Sequence, residues 1–168
     1  MMKRLPSILI AAVLLLSSCG IYSFTGTSIQ PDVNSICINY IEYKALKVNP
    51  TLSNELTEAL RTRFRRMTRL QIEEEEGDLD LSGEVTGYDV AATAITSGDV
   101  AAQNRLTVTI RMSFINNKHP EDNFENKTFS AYSDYDSTLS LDQAESSLVA
   151  EIIEKLVEDI FNATVAQW

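Results

Sequence analysis

The chain is predicted to fold as an α+β two-layer sandwich, with two helices packed on one face of a four-stranded sheet in the order β-α-β-β-β-α. Three observations predict it. Leu52, Leu56, Leu60 and Phe64 recur every fourth residue, which is one apolar stripe of a helix. Leu148, Ile152, Leu156 and Ile160, with the adjacent column Val149, Ile153, Val157 and Phe161, give a second helix an apolar face wide enough to lie on a sheet. Leu106, Val108, Ile110, Met112 and Phe114 alternate with Arg105, Thr107, Thr109, Arg111 and Ser113, a strand with one buried and one polar face. Two amphipathic helices cover one face of such a sheet.

In chain order, the first strand is expected over 35–42, with Ile36, Ile38 and Tyr40 on one face. Asn49-Pro50 then opens the first helix, because proline suits a first helical turn. Glu55 and Glu58 lie early in this helix and Arg61, Arg63, Arg65, Arg66 and Arg69 late, an order that complements the helix dipole. The run Glu73-Glu74-Glu75-Glu76-Gly77-Asp78 reads as a solvated connection. In the second strand Leu79, Leu81 and Val85 alternate with polar residues, and the apolar phase then shifts to Val90, Ala92 and Ala94. Gly87 stands at the change, where a bulge or bend belongs. Ser97-Gly98-Asp99 makes a turn into the clear strand of 106–114, Asn116 to Pro120 make another, and a last strand spans 124–133. Ser140, with Gln143 three residues on, is the capping box of the C-terminal helix. No internal repeat or low-complexity segment interrupts this order.

The N-terminus specifies compartment. Lys3 and Arg4 precede an apolar run from Ile8 to Leu16, and Ser17-Ser18 precede Cys19-Gly20. This is the plan of a secretory signal peptide that ends at a cysteine. Its apolar run is shorter than the roughly 20 residues of a spanning helix. Residues 1–18 are thus expected to be removed, Cys19 to carry acyl chains, residues 19–34 to form the lipidated tether, and residues 35–168 to form a single domain. Ile21, Tyr22 and Phe24 are the tether's apolar members.

Two of the 14 basic residues fall in the leader, so the mature chain sets 12 basic against 24 acidic residues. That balance lacks the basic face of a nucleic-acid binder. Of the two cysteines, Cys19 is assigned to lipid; Cys37 lies in a strand-like run and is expected to be a small buried hydrophobe, with no disulfide framework. The single histidine, His119, precedes Pro120 in a polar turn and is read as solvated. With no nucleophile–base set, phosphate loop, HExxH or CxxC, an enzyme is not expected, nor a metal or other cofactor. Asp136-Ser137-Thr138 resembles the O-glycosylation motif of some Bacteroidetes exported proteins.

The scarce cations are the candidate contact residues for a partner or an anionic lipid. They are Arg61, Arg63, Arg65, Arg66 and Arg69 on the first helix, Arg105, Lys118 and Lys127 near strand ends, and Arg111 on the polar face of the central strand. Arginine suits phosphate or carboxylate recognition through paired hydrogen bonds. For the helix cluster the favoured reading is dipole compensation and pairing with the acidic run Glu73 to Glu76.

Several segments, in order, resemble one family. They are Cys19-Gly20-Ile21-Tyr22-Ser23-Phe24-Thr25-Gly26, Leu79-Asp80-Leu81-Ser82-Gly83-Glu84-Val85, Asn104-Arg105-Leu106-Thr107-Val108-Thr109-Ile110 leading into Phe114-Ile115-Asn116, Phe129-Ser130-Ala131-Tyr132, and Glu158-Asp159-Ile160-Phe161-Asn162, with Trp168 last. Together they resemble the LptE family of lipopolysaccharide-assembly lipoproteins, in its Bacteroidetes-like form. The resemblance implies a non-enzymatic subunit of the outer-membrane lipopolysaccharide translocon. Such a subunit plugs a large β-barrel partner, assists its assembly, and binds lipopolysaccharide. It implies lipidation at Cys19 and outer-membrane anchoring, with the domain facing the periplasm or the barrel lumen. The rival readings are a stand-alone periplasmic lipid-binding lipoprotein, which needs an apolar cavity, and a pilot lipoprotein for another secretion pore.

Overall fold

The computed structural model describes residues 29–93 and 103–166. Residues 1–28, which hold the expected signal peptide, Cys19 and most of the tether, lie outside the described residues, as do the expected turn at 97–99 and Trp168. The elements run β1 (Ser35–Ile38), β2 (Glu42–Tyr43), α1 (Leu52–Met67), β3 (Gln71–Glu73), β4 (Leu79–Ala92), β5 (Gln103–Asn116), β6 (Phe124–Asp136) and α2 (Leu141–Thr164), with a single 3-10 turn at Pro120–Asp122. The α+β class is as expected: one mixed sheet of order β3-β1-β4-β5-β6, with β2 also paired to β4 and the two helices layered on one face.

The sheet has six described strands where the pattern predicts four. The expected 35–42 strand is broken, and its far end is the two-residue β2, which runs parallel to β4 at Glu42–Glu84 and Tyr43–Val85. The acidic run is not wholly a connection: it begins in β3, where Ile36 pairs with Ile72 and Cys37 with Glu73 in parallel register. Strands of two or three residues are too short to show a period, and their pairing is created by β1, which lies between β3 and β4.

The long hairpin follows the pattern closely. Leu106, Val108 and Ile110 are fully buried and Met112 and Phe114 nearly so. The β4–β5 register slips between Val85 and Gly87, which moves the buried phase from Leu79, Leu81 and Val85 to Tyr88. Gly83 faces Met112, whose sulfur would lie 2.2 Å from an added Cβ. The core closes where Leu52, Leu56, Leu60 and Phe64 of α1 and Leu148, Ile152, Leu156, Ile160 and Phe161 of α2 meet the sheet. Phe64 and Phe161 join the helices edge to face, with ring centroids 5.2 Å apart.

Both helices start at the same end, from caps that are tied together. Asn49 Oδ1 accepts the backbone N–H groups of Thr51 at 3.1 Å and Leu52 at 2.9 Å, so Asn49 caps the entry to α1, with Pro50 in the bend just before the helix. Its Nδ2 donates to Glu145 Oε1 in α2 at 3.1 Å, and the Tyr88 hydroxyl donates to the same oxygen. Burial pushes the Tyr88 phenol well above its ordinary pKa, with the Glu145 hydrogen bond acting in the same direction. At α2 the expected capping box forms, with the Ser140 N–H donating to Gln143 Oε1 at 3.0 Å.

Candidate functional site: an open polar sheet face and a clasped N-terminal segment

The sheet face away from the helices carries the polar residues of the pattern. Register places Ser82 beside Ser113, Glu84 beside Arg111 and Thr128, Thr109 beside Ser130, and Thr107 beside Tyr132. Ser82, Arg111, Thr128, Ser130 and Tyr132 are exposed, and no described element covers this face. Its arginines are matched to carboxylates. Arg111 binds Glu84 at 2.9 Å; Arg105 grips Asp134 through two bonds of 2.7 and 2.9 Å and lies 3.7 Å from the Tyr132 ring centroid. The Arg105 hydrogen bonds hold the Asp134 carboxyl below its usual range. The face therefore presents hydroxyls and closed ion pairs, a surface for broad polar contact.

The nine candidate cations do not converge. Arg61 donates to the Ile38 carbonyl at 3.0 Å and pairs with Glu58, and Arg69 donates to the carbonyls of Gln30 and Val33 at 2.7 and 3.2 Å. These two arginines hold backbone. Arg63 lies over Phe161 at 5.1 Å. Arg65 and Arg66 project from the last turn of α1 and make no ion pair among the described residues. Lys118 pairs with Asp78 at 3.5 Å, and Lys127 lies over the rings of Phe124 and Phe129 at 5.1 and 5.5 Å. The helix cluster is thus on the layer opposite Arg105 and Arg111, and the two sets form separate surfaces.

A clasp that no local pattern marks holds the chain where it enters the domain. Val33 is fully buried. Gln30 donates to Asp122 at 2.8 Å, the Asn34 N–H donates to Asp78 at 2.8 Å, and His119 Nε2 lies 3.0 Å from Asp32. Residues 29–34, read from sequence as the end of the tether, therefore lie against the domain. The partners are 44 to 92 residues apart in sequence, beyond the reach of any motif. His119, read as a solvated turn residue, is half-buried and engaged, with Glu121 3.6 Å from its Nδ1. Cys37 is fully buried, as expected, and burial pushes its thiol pKa up.

The hydrogen bond to Asp32 raises the His119 pKa, and the same bond lowers that of Asp32. A raised folded pKa contributes stability that is fully present below the unfolded value, near 6.5. That contribution is lost as pH rises through the folded value. The expected result is that the wild-type protein loses more thermal stability between mildly acidic and mildly alkaline pH than His119→Gln does. Tm measured across that range checks it; parallel curves for the two proteins would remove the clasp from the account.

Two openings bear on the lipid-binding rival. A small pocket of about 40 Å³, lined by Ile29, Leu79, Phe114 and Thr164 among others, holds at most a few waters. A shallow groove of about 590 Å³ runs between α1 and α2, floored by Ala59, Ile153 and Val157 and edged by Arg63, Arg66, Glu154 and Glu158. No helix among the described residues is long and apolar enough to cross a membrane.

Several solved structures are similar to this one, and the first two of those that follow share its architecture. The hypothetical protein CT253 of Chlamydia trachomatis is 7% identical, with 80% of this chain and 99% of that one covered and a TM-score of 0.54. A neuraminyllactose-binding hemagglutinin homolog from Helicobacter pylori is 11% identical over 83% of this chain and 87% of that one, with a TM-score of 0.51. A minor lipoprotein from Acinetobacter baumannii is 14% identical, covers 76% and 89%, and has a TM-score of 0.45. At these identities the likeness is one of fold. No curated protein matches the chain by sequence. The class of protein defined so far is a two-layer α+β domain with one bare, charge-paired sheet face. The family model for LptE, lipopolysaccharide-assembly, matches residues 33–164, nearly the whole folded region, and the chain belongs to that family.

Proposed function

We propose that this chain is the outer-membrane lipoprotein subunit of the lipopolysaccharide translocon, which plugs its large β-barrel partner and assists the barrel's assembly. The observation that carries the reading is the family match over residues 33–164. Three features support it. The signal-like leader ends at Cys19, and Gly20 rather than aspartate follows, which by the common sorting rule directs a lipoprotein to the outer membrane. The open face of β4, β5 and β6 is broad and polar, as a surface that slides into a water-filled lumen must be. On the open face the arginines are spent on neighbouring carboxylates, Arg105 on Asp134 and Arg111 on Glu84.

Lipopolysaccharide contact belongs to the same reading, with Arg65 and Arg66 as the cations left to meet a phosphate. The stand-alone lipid-binding reading is disfavoured by the small size of the pocket beside Ile29 and the openness of the inter-helix groove.

The test is affinity recovery of the native lipoprotein in mild detergent, followed by mass spectrometry. Recovery of a large outer-membrane β-barrel in near-equal amount is expected; recovery alone, or with another secretion pore, overturns the reading. A variant then assigns the face. Charge reversal at Arg111 is a poor probe, because it would set a second carboxylate against Glu84. Ser82 is exposed on the same face and binds nothing there. Ser82→Arg is expected to change stability by less than about 0.5 kcal/mol and to reduce barrel recovery several-fold. Full recovery would move the contact to another face.

A further inference from the structure

Strand β6 is one edge of the sheet, and among the described residues nothing pairs with its outer side. Which residues face outward follows from register. Val108 opposes Ala131 and Ile110 opposes Phe129, while the Thr109 carbonyl is turned to β4, where it accepts the Thr86 hydroxyl. In an antiparallel ladder the direction alternates, so Phe129, Ala131 and Ser133 bond to β5, and Thr128, Ser130, Tyr132 and Asp134 turn their backbone N–H and C=O groups outward. One outward group is occupied: the Tyr132 carbonyl accepts Lys155 Nζ at 2.8 Å. An edge this long is a template for another strand, and proteins normally blunt such edges. Here Lys155 guards one carbonyl, which an added strand must share or displace, and among the described residues the rest are bare.

We propose that this edge pairs with the same edge of a second copy, as an antiparallel β6–β6 contact with its two-fold axis at Ser130. Three features of the strand fit that register. Tyr132 falls opposite Thr128 of the other copy, an aromatic and β-branched cross-strand pair on the open face. On the helix side Ser133 falls opposite Lys127 of the other copy. Glu151 already accepts the Ser133 hydroxyl at 2.7 Å, so symmetry brings a carboxylate to a lysine twice. On a chain of net charge −10, self-association needs such local opposite charge, and Lys127 is the one cation on this strand. Asn126, with φ at 54°, ends the regular edge just beyond Lys127 and limits the pairing to the segment around 128–132. The contact is isologous, so it closes at two copies. It is independent of the barrel and describes the lipoprotein before it meets one.

Two measurements on the full-length lipoprotein in detergent test it. Across the axis Ser130 meets its own copy at a Cα separation of about 5.5 Å, inside the range a disulfide spans, about 4.4–6.8 Å. Ser130→Cys under mild oxidation is therefore expected to give at least about tenfold more covalent dimer than Thr128→Cys, whose two copies lie about 14 Å apart along the strands. Cys37 is fully buried and does not compete. Equal dimer from both variants, no dimer, or a cross-link to a different protein overturns the proposal. Ser130→Pro removes an outward N–H and leaves the backbone ladder to β5 in place, where an edge strand accepts proline, although it also removes the Ser130 hydroxyl's bonds to the Val108 carbonyl at 3.3 Å and to Thr109 Oγ1 at 3.2 Å. In sedimentation at equal concentration it is expected to be folded and monomeric where the wild type is dimeric, with a Tm equal to that of Ser130→Ala, which loses the same hydroxyl bonds. A wild-type monomer, or a Ser130→Pro dimer, also overturns the proposal.

Discussion

Phe64→Ala is expected to lower the unfolding free energy by about 3–5 kcal/mol, the cost of a truncated core aromatic. Phe64 is fully buried in the last turns of α1 and meets Phe161 of α2 edge to face. Its loss removes the transfer energy of the ring and leaves a cavity where both helices and the sheet converge. Nothing nearby is free to fill it: Leu60 and Ile160 are themselves fully buried. In urea the midpoint should fall by about 1–5 M, given ordinary slopes of about 1–3 kcal/mol/M. Leu46→Ala is the matched control, because Leu46 is fully exposed, and it should change stability by less than about 0.5 kcal/mol. A Phe64→Ala protein within 1 kcal/mol of wild type, by the same measure, would mean that α1 is not packed on the core as described.

Cys19→Ser is expected to remove the chain from the outer-membrane fraction. Each acyl CH₂ in a bilayer contributes about 0.8 kcal/mol, a single chain holds only weakly, and stable anchoring needs more than one. The serine hydroxyl carries none, and no helix among the described residues is long and apolar enough to cross a membrane. Fractionation by immunoblot checks the result. The intact mass of the wild type should exceed that of residues 19–168 by the acyl groups. A wild-type mass equal to the bare chain, or a Cys19→Ser protein still in the outer membrane, would end the lipoprotein assignment. On the proposed function barrel assembly takes place at that membrane, so the same variant should also lower barrel recovery, whereas Ser82→Arg should lower recovery alone.

Much of the architecture was legible before any coordinates. The alternation from Leu106 to Phe114 repeats over more than four pleats, and the stripe from Leu52 to Phe64 spans three helical turns, so each signal is long compared with its period. The bulge at Gly87 was legible because a change of phase within one strand has few other physical causes. The short strands β2 and β3 were not, since two or three residues carry no period and pair only because β1 is already in place. The cap on α1 was half-visible: Pro50 marks the approach to the helix, but Asn49 as the capping oxygen, and its tie to Glu145, required knowing that both helices begin together.

The candidate site divides in the same way. Sequence by itself carries the expectation of a leader ending at Cys19, and it determined the two helices, the long hairpin with one polar face, the buried thiol of Cys37 and the scarcity of cations. Each of these is set by residue type and by spacing within about 20 residues, where backbone geometry ties neighbours to one face. Only the tertiary structure decided what the cations do. It turned Arg61 and Arg69 into backbone clamps, closed Arg105 and Arg111 onto Asp134 and Glu84, and left Arg65 and Arg66 projecting. It also drew His119 to Asp32, 87 residues away, and left the edge of β6 bare. A charged side chain takes its partner from whatever the packed elements bring within a few ångströms, and that proximity is created by the core, whose apolar pattern says nothing about which charges will meet.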